Sequence, residues 1–231
     1  MDPSELEILA YEANPLGMIC LRRRGLRSEP GTVVTEITLD HQFLMSSHNT
    51  VSECALATQA LGLHGGAGLQ VLVGGLGLGY TARAALGSDR VAQVEVVELL
   101  PQVIDWFERR LLPLADELRA DPRFAVSQGD VYARLSLPPL RQHDLILIDV
   151  DHSPSERLAD ANGSFYGEEG LGRARQHLAP EGVLGVWSYA ESPVFEAALR
   201  AVFRDVRVEA VRFQNRVLEE PETNWLYFAR G

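Results

Sequence analysis

The stretch LQVLVGGLGLGY, residues 69–80, joins an apolar run to four glycines. The apolar run is typical of a buried β-strand, and the segment that begins at Tyr80 has the composition of a helix. Glycine lets the backbone turn tightly and approach a ligand with no Cβ in the way. The stretch therefore predicts a strand, a ligand-contacting loop and a helix, with Gly75, Gly77 and Gly79 in a GxGxG pattern.

Two acidic residues downstream indicate what the loop binds. Tyr80 stands where the dinucleotide fingerprint GxGxxG needs its last glycine, and no GxxxxGK[ST] phosphate loop is present. Glu98 ends the next predicted strand about 20 residues later, where a carboxylate can accept both hydrogen bonds of a ribose diol. Asp130 follows the third strand and could accept from an adenine amino group. These residues predict a nucleoside site; the alternative is a helix-packing turn with two surface acids.

Strands and helices alternate from about residue 50 onward. Seven strands, the last two in succession, predict an α/β fold with a doubly wound sheet of the class I S-adenosylmethionine-dependent methyltransferase type. A single helix is predicted over residues 101–120. Residues 5–46 contain short strands separated by turn signals, which predict a small antiparallel β unit. We expect two domains: a small N-terminal β unit over residues 1–48 and a Rossmann-like catalytic domain over residues 49–231.

Charge and composition restrict the partners. The net charge of −11 argues against a nucleic-acid partner. No apolar run reaches the ~18 residues that span a bilayer, and the acidic start of the chain lacks a signal-peptide pattern. Cys20 and Cys54 form neither a disulfide framework nor a zinc motif. We therefore expect a cytoplasmic protein with no membrane partner.

A second acidic cluster ends the fourth predicted strand of the sheet. DLILIDVDHSP, residues 144–154, places Asp149, Asp151 and His152 at the strand end. An alkylamine is protonated at pH 7, and making the free amine costs about 4 kcal/mol. Asp149 could hold the ammonium and accept its proton. The alternatives are a strand cap or a magnesium site; the latter usually needs another Asp/Asn pair, so we expect no metal.

Aromatic residues lie near the carboxyl ends of the predicted strands or in the loop after the fourth strand. They are Phe165, Tyr166, Trp187 and Tyr189. An aromatic wall at this edge could face a cationic amine or a sulfonium. The alternative is that these side chains belong to the core.

Over nearly the whole chain, these residues resemble the polyamine aminopropyltransferases, the spermidine synthase family. GGLGLGY takes the position of the family's glycine loop, VVEL that of its ribose-binding glutamate (Glu98), and QGDV that of its adenine-binding aspartate (Asp130). LILIDVDHSP places Asp149 at the catalytic base. SSHNTVSECALA places Glu53 at a family glutamate, and YAESP places Glu191 in the family's glutamine-x-glutamate-serine-proline run.

The resemblance implies an enzyme that uses S-adenosylmethionine or its decarboxylated form as donor and a small amine as acceptor. It implies supporting acids at Asp151 and Glu191 and a homodimer formed through the N-terminal unit. His152 stands where the family has a second aspartate. The candidates for substrate contact are Glu53, His152, Tyr166, Trp187 and Tyr189.

Leu78 departs from the family at a position that bears on the donor. The family has an aspartate there that helps to hold the amine of the decarboxylated donor. A leucine does not repel the carboxylate of ordinary S-adenosylmethionine, so this donor becomes admissible; alternatively, Leu78 only packs the helix start. The leading hypothesis is a spermidine-synthase-like transferase that alkylates an amine. The alternatives are a small-molecule methyltransferase and a non-catalytic protein that binds a nucleoside or polyamine.

Overall fold

The computed structural model describes residues 6–26, 28–150, 152–156, 163–215 and 220–231. The chain begins with four antiparallel strands in the order β1-β2-β3-β4. They are β1 (Leu6–Asn14), β2 (Gly17–Gly25), β3 (Val33–Leu39) and β4 (Gln42–Ser46). The turn between β1 and β2 uses the Asn14 side chain, which accepts a hydrogen bond from the Leu16 amide at 2.7 Å. The predicted N-terminal β unit is thereby confirmed.

The second sheet has seven strands in the order β10-β11-β9-β8-β5-β6-β7. They are β5 (Leu69–Gly74), β6 (Val91–Glu98), β7 (Phe124–Gln128), β8 (His143–Ile148), β9 (Leu178–Ser188), β10 (Asp205–Asn215) and β11 (Glu220–Arg230). Neighbours among β5 to β9 pair in parallel, whereas β11 is antiparallel to both β9 and β10. The predicted α/β fold, with its closing antiparallel pair, is confirmed.

Seven helices connect these strands in the described part of the chain. They are α1 (Val51–Leu63), α2 (Tyr80–Leu86), α3 (Pro101–Glu108), α4 (Ala115–Ala120), α5 (Val131–Ser136), α6 (Glu168–Gln176) and α7 (Pro193–Val202). None of them is long and apolar enough to cross a membrane.

The prediction of one helix over residues 101–120 is wrong. Helix α3 ends at Glu108 and α4 begins at Ala115. Arg110 has a φ of 61°, and Pro113 has no amide hydrogen to donate to a helix. The apolar spacing continues across this break, which is why periodicity alone did not reveal it. The break lets α4 approach the glycine loop: a Cβ on Gly79 would lie 2.6 Å from Leu118 Cδ1.

The strand order reverses at β5, which pairs with β6 on one side and β8 on the other. In open α/β sheets, ligands bind at the carboxyl ends of the strands beside such a reversal. Since β5, β6, β7 and β8 run in parallel, the glycine loop, Glu98, Asp130 and Asp149 emerge at one edge.

The two sheets share a hydrophobic core. Ile19, Leu21 and Ile37 of the first sheet are fully buried in the same cluster as Leu56 of α1 and Val73 of β5. The first sheet therefore packs directly on the second one. A domain boundary at residue 48 stays a prediction.

Candidate active site

The glycine loop is shaped by contacts within the chain. Gly75, Gly77 and Gly79 have φ angles of 91°, 51° and 93°, which side-chain-bearing residues rarely adopt. A Cβ on Gly75 would collide with the carbonyl oxygen of Asp149, and one on Gly77 would collide with the thioether of Met45. The glycines thus allow the loop to lie against the end of β8 and against β4.

A cavity of about 110 Å³ opens at the carboxyl ends of the parallel strands; we call it the strand-end cavity. Most of the predicted site residues line it. They are Glu53, Gly75, Gly77, Glu98, Asp130, Asp149, His152 and Trp187.

Glu98 supports the glycine loop from below. Its Oε2 accepts a hydrogen bond from the Leu76 amide and its Oε1 accepts one from the Leu100 amide, each at 2.8 Å. Burial raises the pKa of this carboxyl, and the backbone hydrogen bonds oppose that shift. Each carboxylate oxygen can accept a second hydrogen bond. Glu98 therefore holds the loop and also lines the strand-end cavity.

Asp130 has two roles at the start of α5. Its Oδ1 accepts from the amides of Tyr132 at 2.8 Å and Ala133 at 3.2 Å, which caps the helix. Within the described ranges, Oδ2 has no hydrogen-bond partner. The side chain lines the cavity and has an acceptor available for an amino group.

Two half-buried acids, Glu53 and Asp149, line both the strand-end cavity and a smaller space beside the glycine loop; we call them the acid pair. Asp149 Oδ2 accepts a hydrogen bond from Thr81 Oγ1 at 2.6 Å. Glu53 Oε2 accepts one from Ser52 Oγ at 2.8 Å, and Ser52 in turn accepts from Trp187 Nε1 at 2.9 Å. The pair is thus held by hydroxyl groups rather than by a cation.

Burial raises the pKa of both acids. It raises the pKa of Glu53 to about 7, and the neighbouring Asp149 charge adds to this shift. It raises the pKa of Asp149 to about 6, opposed by the Thr81 hydrogen bond. Near neutral pH the pair as a whole therefore exchanges a proton, which is the property required of a general base.

Leu78 lies beside the acid pair. It lines a small space of about 20 Å³ together with Glu53, Gly77 and Asp149. Only 3% of Leu78 is exposed, and it belongs to the main core cluster. Leu78 thus both packs the helix start and faces the region in which the acids meet.

A second cavity of about 530 Å³ adjoins the first; we call it the side cavity. The two cavities share Leu44, Met45, Glu53, His152 and Trp187. The side cavity extends from Glu53 between the first sheet and the ends of β10 and β11.

The remaining predicted residues lie at different depths. His152 lines both cavities, and Tyr189 lines the side cavity, with its hydroxyl donating to Glu156. Tyr166 is buried behind the strand-end cavity, where its hydroxyl lies 2.9 Å from that of Tyr132. Glu191 is exposed after β9 and is not among the lining residues of these cavities.

Asp151 lies outside the described residues. Phe165 packs against Tyr132 with ring centroids 4.9 Å apart. Among the described residues, no group of three or more His, Cys, Asp or Glu side chains is arranged to hold a metal ion.

Sequence reasoning missed Thr81 and Met45. Thr81 has a local signal, because it stands two residues after the last glycine of the loop, in the first turn of α2. Met45 has no such signal. Its contact with Gly77 depends on how β4 packs against the second sheet.

Comparisons with known proteins test the family resemblance. No family model matches the chain. A polyamine aminopropyltransferase of Oceanobacillus iheyensis is 33% identical over 127 residues, which are 54% of this chain and 23% of that protein. The chain is similar to polyamine aminopropyltransferases. Polyamine aminopropyltransferase 2 of Streptomyces coelicolor is 32% identical over 124 residues, 53% of this chain and 22% of that protein.

A relative from Prochlorococcus marinus, also a polyamine aminopropyltransferase, is 29% identical over 159 residues, 68% of this chain and 51% of that protein. The chain thus matches about a quarter of the length of the first two relatives and half of the third. The resemblance drawn from the motifs is confirmed.

Solved structures show the same fold. A spermidine synthase in complex with the transition-state analogue AdoDATO superposes with a TM-score of 0.75 at 21% identity, covering 96% of this chain and 73% of that one. Spermidine synthase from Thermotoga maritima gives 0.73 at 20% identity, covering 96% and 72%.

Proposed function

We propose that this protein is a spermidine-synthase-like transferase that moves an alkyl group from a sulfonium donor of the S-adenosylmethionine type to an amine. The observation that supports this most is the acid pair, Glu53 and Asp149, beside a cavity lined by Glu98 and Asp130. One end of the cavity has acceptors for a ribose and an adenine. The other end has carboxylates for a cationic amine.

In this proposal Asp149 prepares the amine. It first binds the ammonium and then accepts its proton, so that the nitrogen lone pair attacks the carbon bonded to the sulfonium. The carbon–sulfur bond breaks and a neutral thioether leaves. Because the pKa of Asp149 is about 6 rather than 3.8, the proton transfer costs roughly 3 kcal/mol less, at ~1.4 kcal/mol per pH unit.

The donor is held by the chain's own groups. Glu98 accepts from the ribose hydroxyls, Asp130 from the adenine amino group, and the glycine loop provides the close backbone approach. Trp187 and His152, which line both cavities, contact the reacting end of the donor and the acceptor. Holding both reactants in line supplies most of the remaining rate acceleration.

The names of the relatives support the same chemistry, since all three are called polyamine aminopropyltransferases. The acceptor we propose is a small amine. A homodimer, a cytoplasmic location and the absence of nucleic-acid and membrane partners complete the proposal.

A second candidate, a small-molecule methyltransferase, is favoured by one observation. Leu78 lies next to the acid pair without adding a third carboxylate. The carboxylate of ordinary S-adenosylmethionine would meet less repulsion there than beside an aspartate.

Calorimetry with each donor, followed by mass spectrometry of the products from an amine panel, tests the proposal. An aminopropyl gain supports the leading function and a methyl gain supports the second candidate. Donor binding without any product would indicate a non-catalytic binding protein. Failure to bind either donor would refute both transferase functions.

A further inference from the structure

The side cavity contains an arginine pair that the proposed chemistry does not use. Arg22 and Arg24 project from the same face of β2, and both bind Glu36 of β3. Their Nε atoms lie 2.9 Å and 2.8 Å from the Glu36 oxygens. Because two guanidinium groups share one carboxylate, the cluster itself keeps one positive charge. A further acid of the side cavity, Glu222, accepts a hydrogen bond from Asn215 Nδ2 at 2.7 Å.

The arginine pair has donors left for a ligand. A guanidinium has five N–H groups in a planar fork that matches an oxyanion. Each arginine uses Nε and Nη2 on Glu36, and in the described part of the chain Nη1 has no partner. About a third of each side chain is exposed, 33% for Arg22 and 31% for Arg24. His48, which lines the same cavity, has a buried Nε2 with no hydrogen-bond partner among the described residues.

The arginine pair and Glu53 both line the side cavity, whereas Asp149 lines the adjoining strand-end cavity. Arg22 pairs across the sheet with Glu36, and Glu36 pairs with Ser46 of β4, which lies near Glu53. Two strand spacings place the Arg22 backbone roughly 10 Å from that of Ser46. Apolar side chains, including Phe43 and Phe213, line the cavity wall. This arrangement suits a short carbon chain with unlike charges at its ends.

We propose that the acceptor is a primary amine with a carboxylate at its far end. Its amine would meet the acid pair and its carboxylate would meet Arg22 and Arg24. A simple diamine would instead place its second ammonium beside Arg22 and Arg24, two guanidinium groups that share the single carboxylate of Glu36. This inference rests on the proposed transferase function and names the class of its acceptor.

Two ligands of equal length, 4-aminobutanoate and 1,4-diaminobutane, test the proposal because they differ only at the far end. Each is titrated by calorimetry into the protein saturated with 5′-methylthioadenosine, and also into the protein alone. We expect 4-aminobutanoate to bind about tenfold more tightly, the factor expected of one charge-assisted hydrogen bond. Equal or tighter binding of the diamine, or no measurable binding of 4-aminobutanoate, would overturn the inference.

Substitutions in the arginine cluster test whether it causes the preference for the carboxylate. Replacing the cluster by Arg22→Gln, Arg24→Gln and Glu36→Gln together leaves no buried charge unpaired, and we expect it to abolish the preference for the carboxylate. Arg23→Gln is the matched control, since Arg23 projects from the opposite face of β2 and donates to the Leu111 carbonyl at 3.2 Å; it should keep the preference.

If the triple variant does not fold, Arg22→Gln alone retains the Arg24–Glu36 pair. We expect it to weaken the preference by several-fold, and an unchanged preference would refute the assignment. Binding of 5′-methylthioadenosine distinguishes a failure of the proposed transferase function from a failure of the proposed acceptor class. If the unmodified protein does not bind 5′-methylthioadenosine, the transferase function is refuted. If it binds 5′-methylthioadenosine and prefers the diamine, only the acceptor class is refuted.

Discussion

Asp149→Asn should remove turnover while leaving donor binding almost unchanged. The asparagine amide oxygen can still accept the 2.6 Å hydrogen bond from Thr81, so the loop geometry is kept. Without a proton acceptor the rate should fall about 10²- to 10⁴-fold, the usual contribution of a general base. Since Glu98 and Asp130 are the groups proposed to hold the nucleoside, its dissociation constant by calorimetry should change less than about threefold.

The same substitution should increase stability at neutral pH. The pKa of Asp149 is raised by burial from 3.8 to about 6 in the folded chain, so the folded state binds this proton more tightly than the unfolded state. The stabilisation from this proton is complete below pH 3.8 and is lost as the pH rises through about 6. At pH 7.5 the buried charge therefore costs roughly 3 kcal/mol, and asparagine avoids that cost.

The net gain is smaller, because the new amide group needs a partner and costs about 1–3 kcal/mol if it finds none. We expect roughly 1 kcal/mol, or a Tm about 2–4 °C higher at pH 7.5. Below pH 4 the variant should be no more stable than the unmodified chain. The assay is thermal unfolding at several pH values, with Asp105→Asn as control because Asp105 is half exposed. A Tm difference that is independent of pH, or lost donor binding, would refute the reasoning.

Three further substitutions test the rest of the site. Leu78→Asp should weaken binding of ordinary S-adenosylmethionine at least about tenfold relative to Leu78→Asn, while binding of the decarboxylated donor changes little. Calorimetry that shows the same loss of affinity for both donors would contradict this. Glu98→Gln replaces one of the two carboxylate oxygens by an NH₂ donor, which should lower Tm by about 2–8 °C and weaken nucleoside binding. Unchanged nucleoside binding would refute the proposed contact between Glu98 and the ribose. Gly75→Ala should lower the free energy of unfolding by several kcal/mol, because the new Cβ meets the Asp149 carbonyl. The control, Gly172→Ala in α6, should be neutral or stabilising by ~1 kcal/mol. Equal denaturation midpoints for the two variants would contradict the close packing at Gly75.

Local patterns were enough to predict most of the fold. Alternating strands and helices carry strong periodic signals, so the order of elements and the edge on which Glu98, Asp130 and Asp149 meet could be derived from the chain. Helix ends are weaker signals. The break between α3 and α4 depends on Pro113 and on the positive φ of Arg110, and the apolar spacing conceals it.

Side-chain partnerships were harder to predict, because they depend on how the two sheets pack. Nothing in the sequence around Met45 indicates that its thioether lies on Gly77. Likewise, nothing in the run of three arginines on β2 indicates that Arg22 and Arg24 bind the buried Glu36. The predicted aromatic residues lie in different places: Trp187 lines the cavities, whereas Tyr166 is buried behind them.

The two sheets contribute different groups to the proposed site, which has a consequence for how its selectivity could change. The groups proposed to bind the nucleoside come from the strand ends of the second sheet, whereas Arg22, Arg24 and Glu36 of the side cavity come from strands that precede α1. A recombination event near residue 48 would therefore exchange the arginine pair and Glu36 and leave Glu98, Asp130 and Asp149 in place. Chimaeras joined there would be a practical way to transfer selectivity between relatives, provided that the residue in contact with Gly77 is no bulkier than Met45.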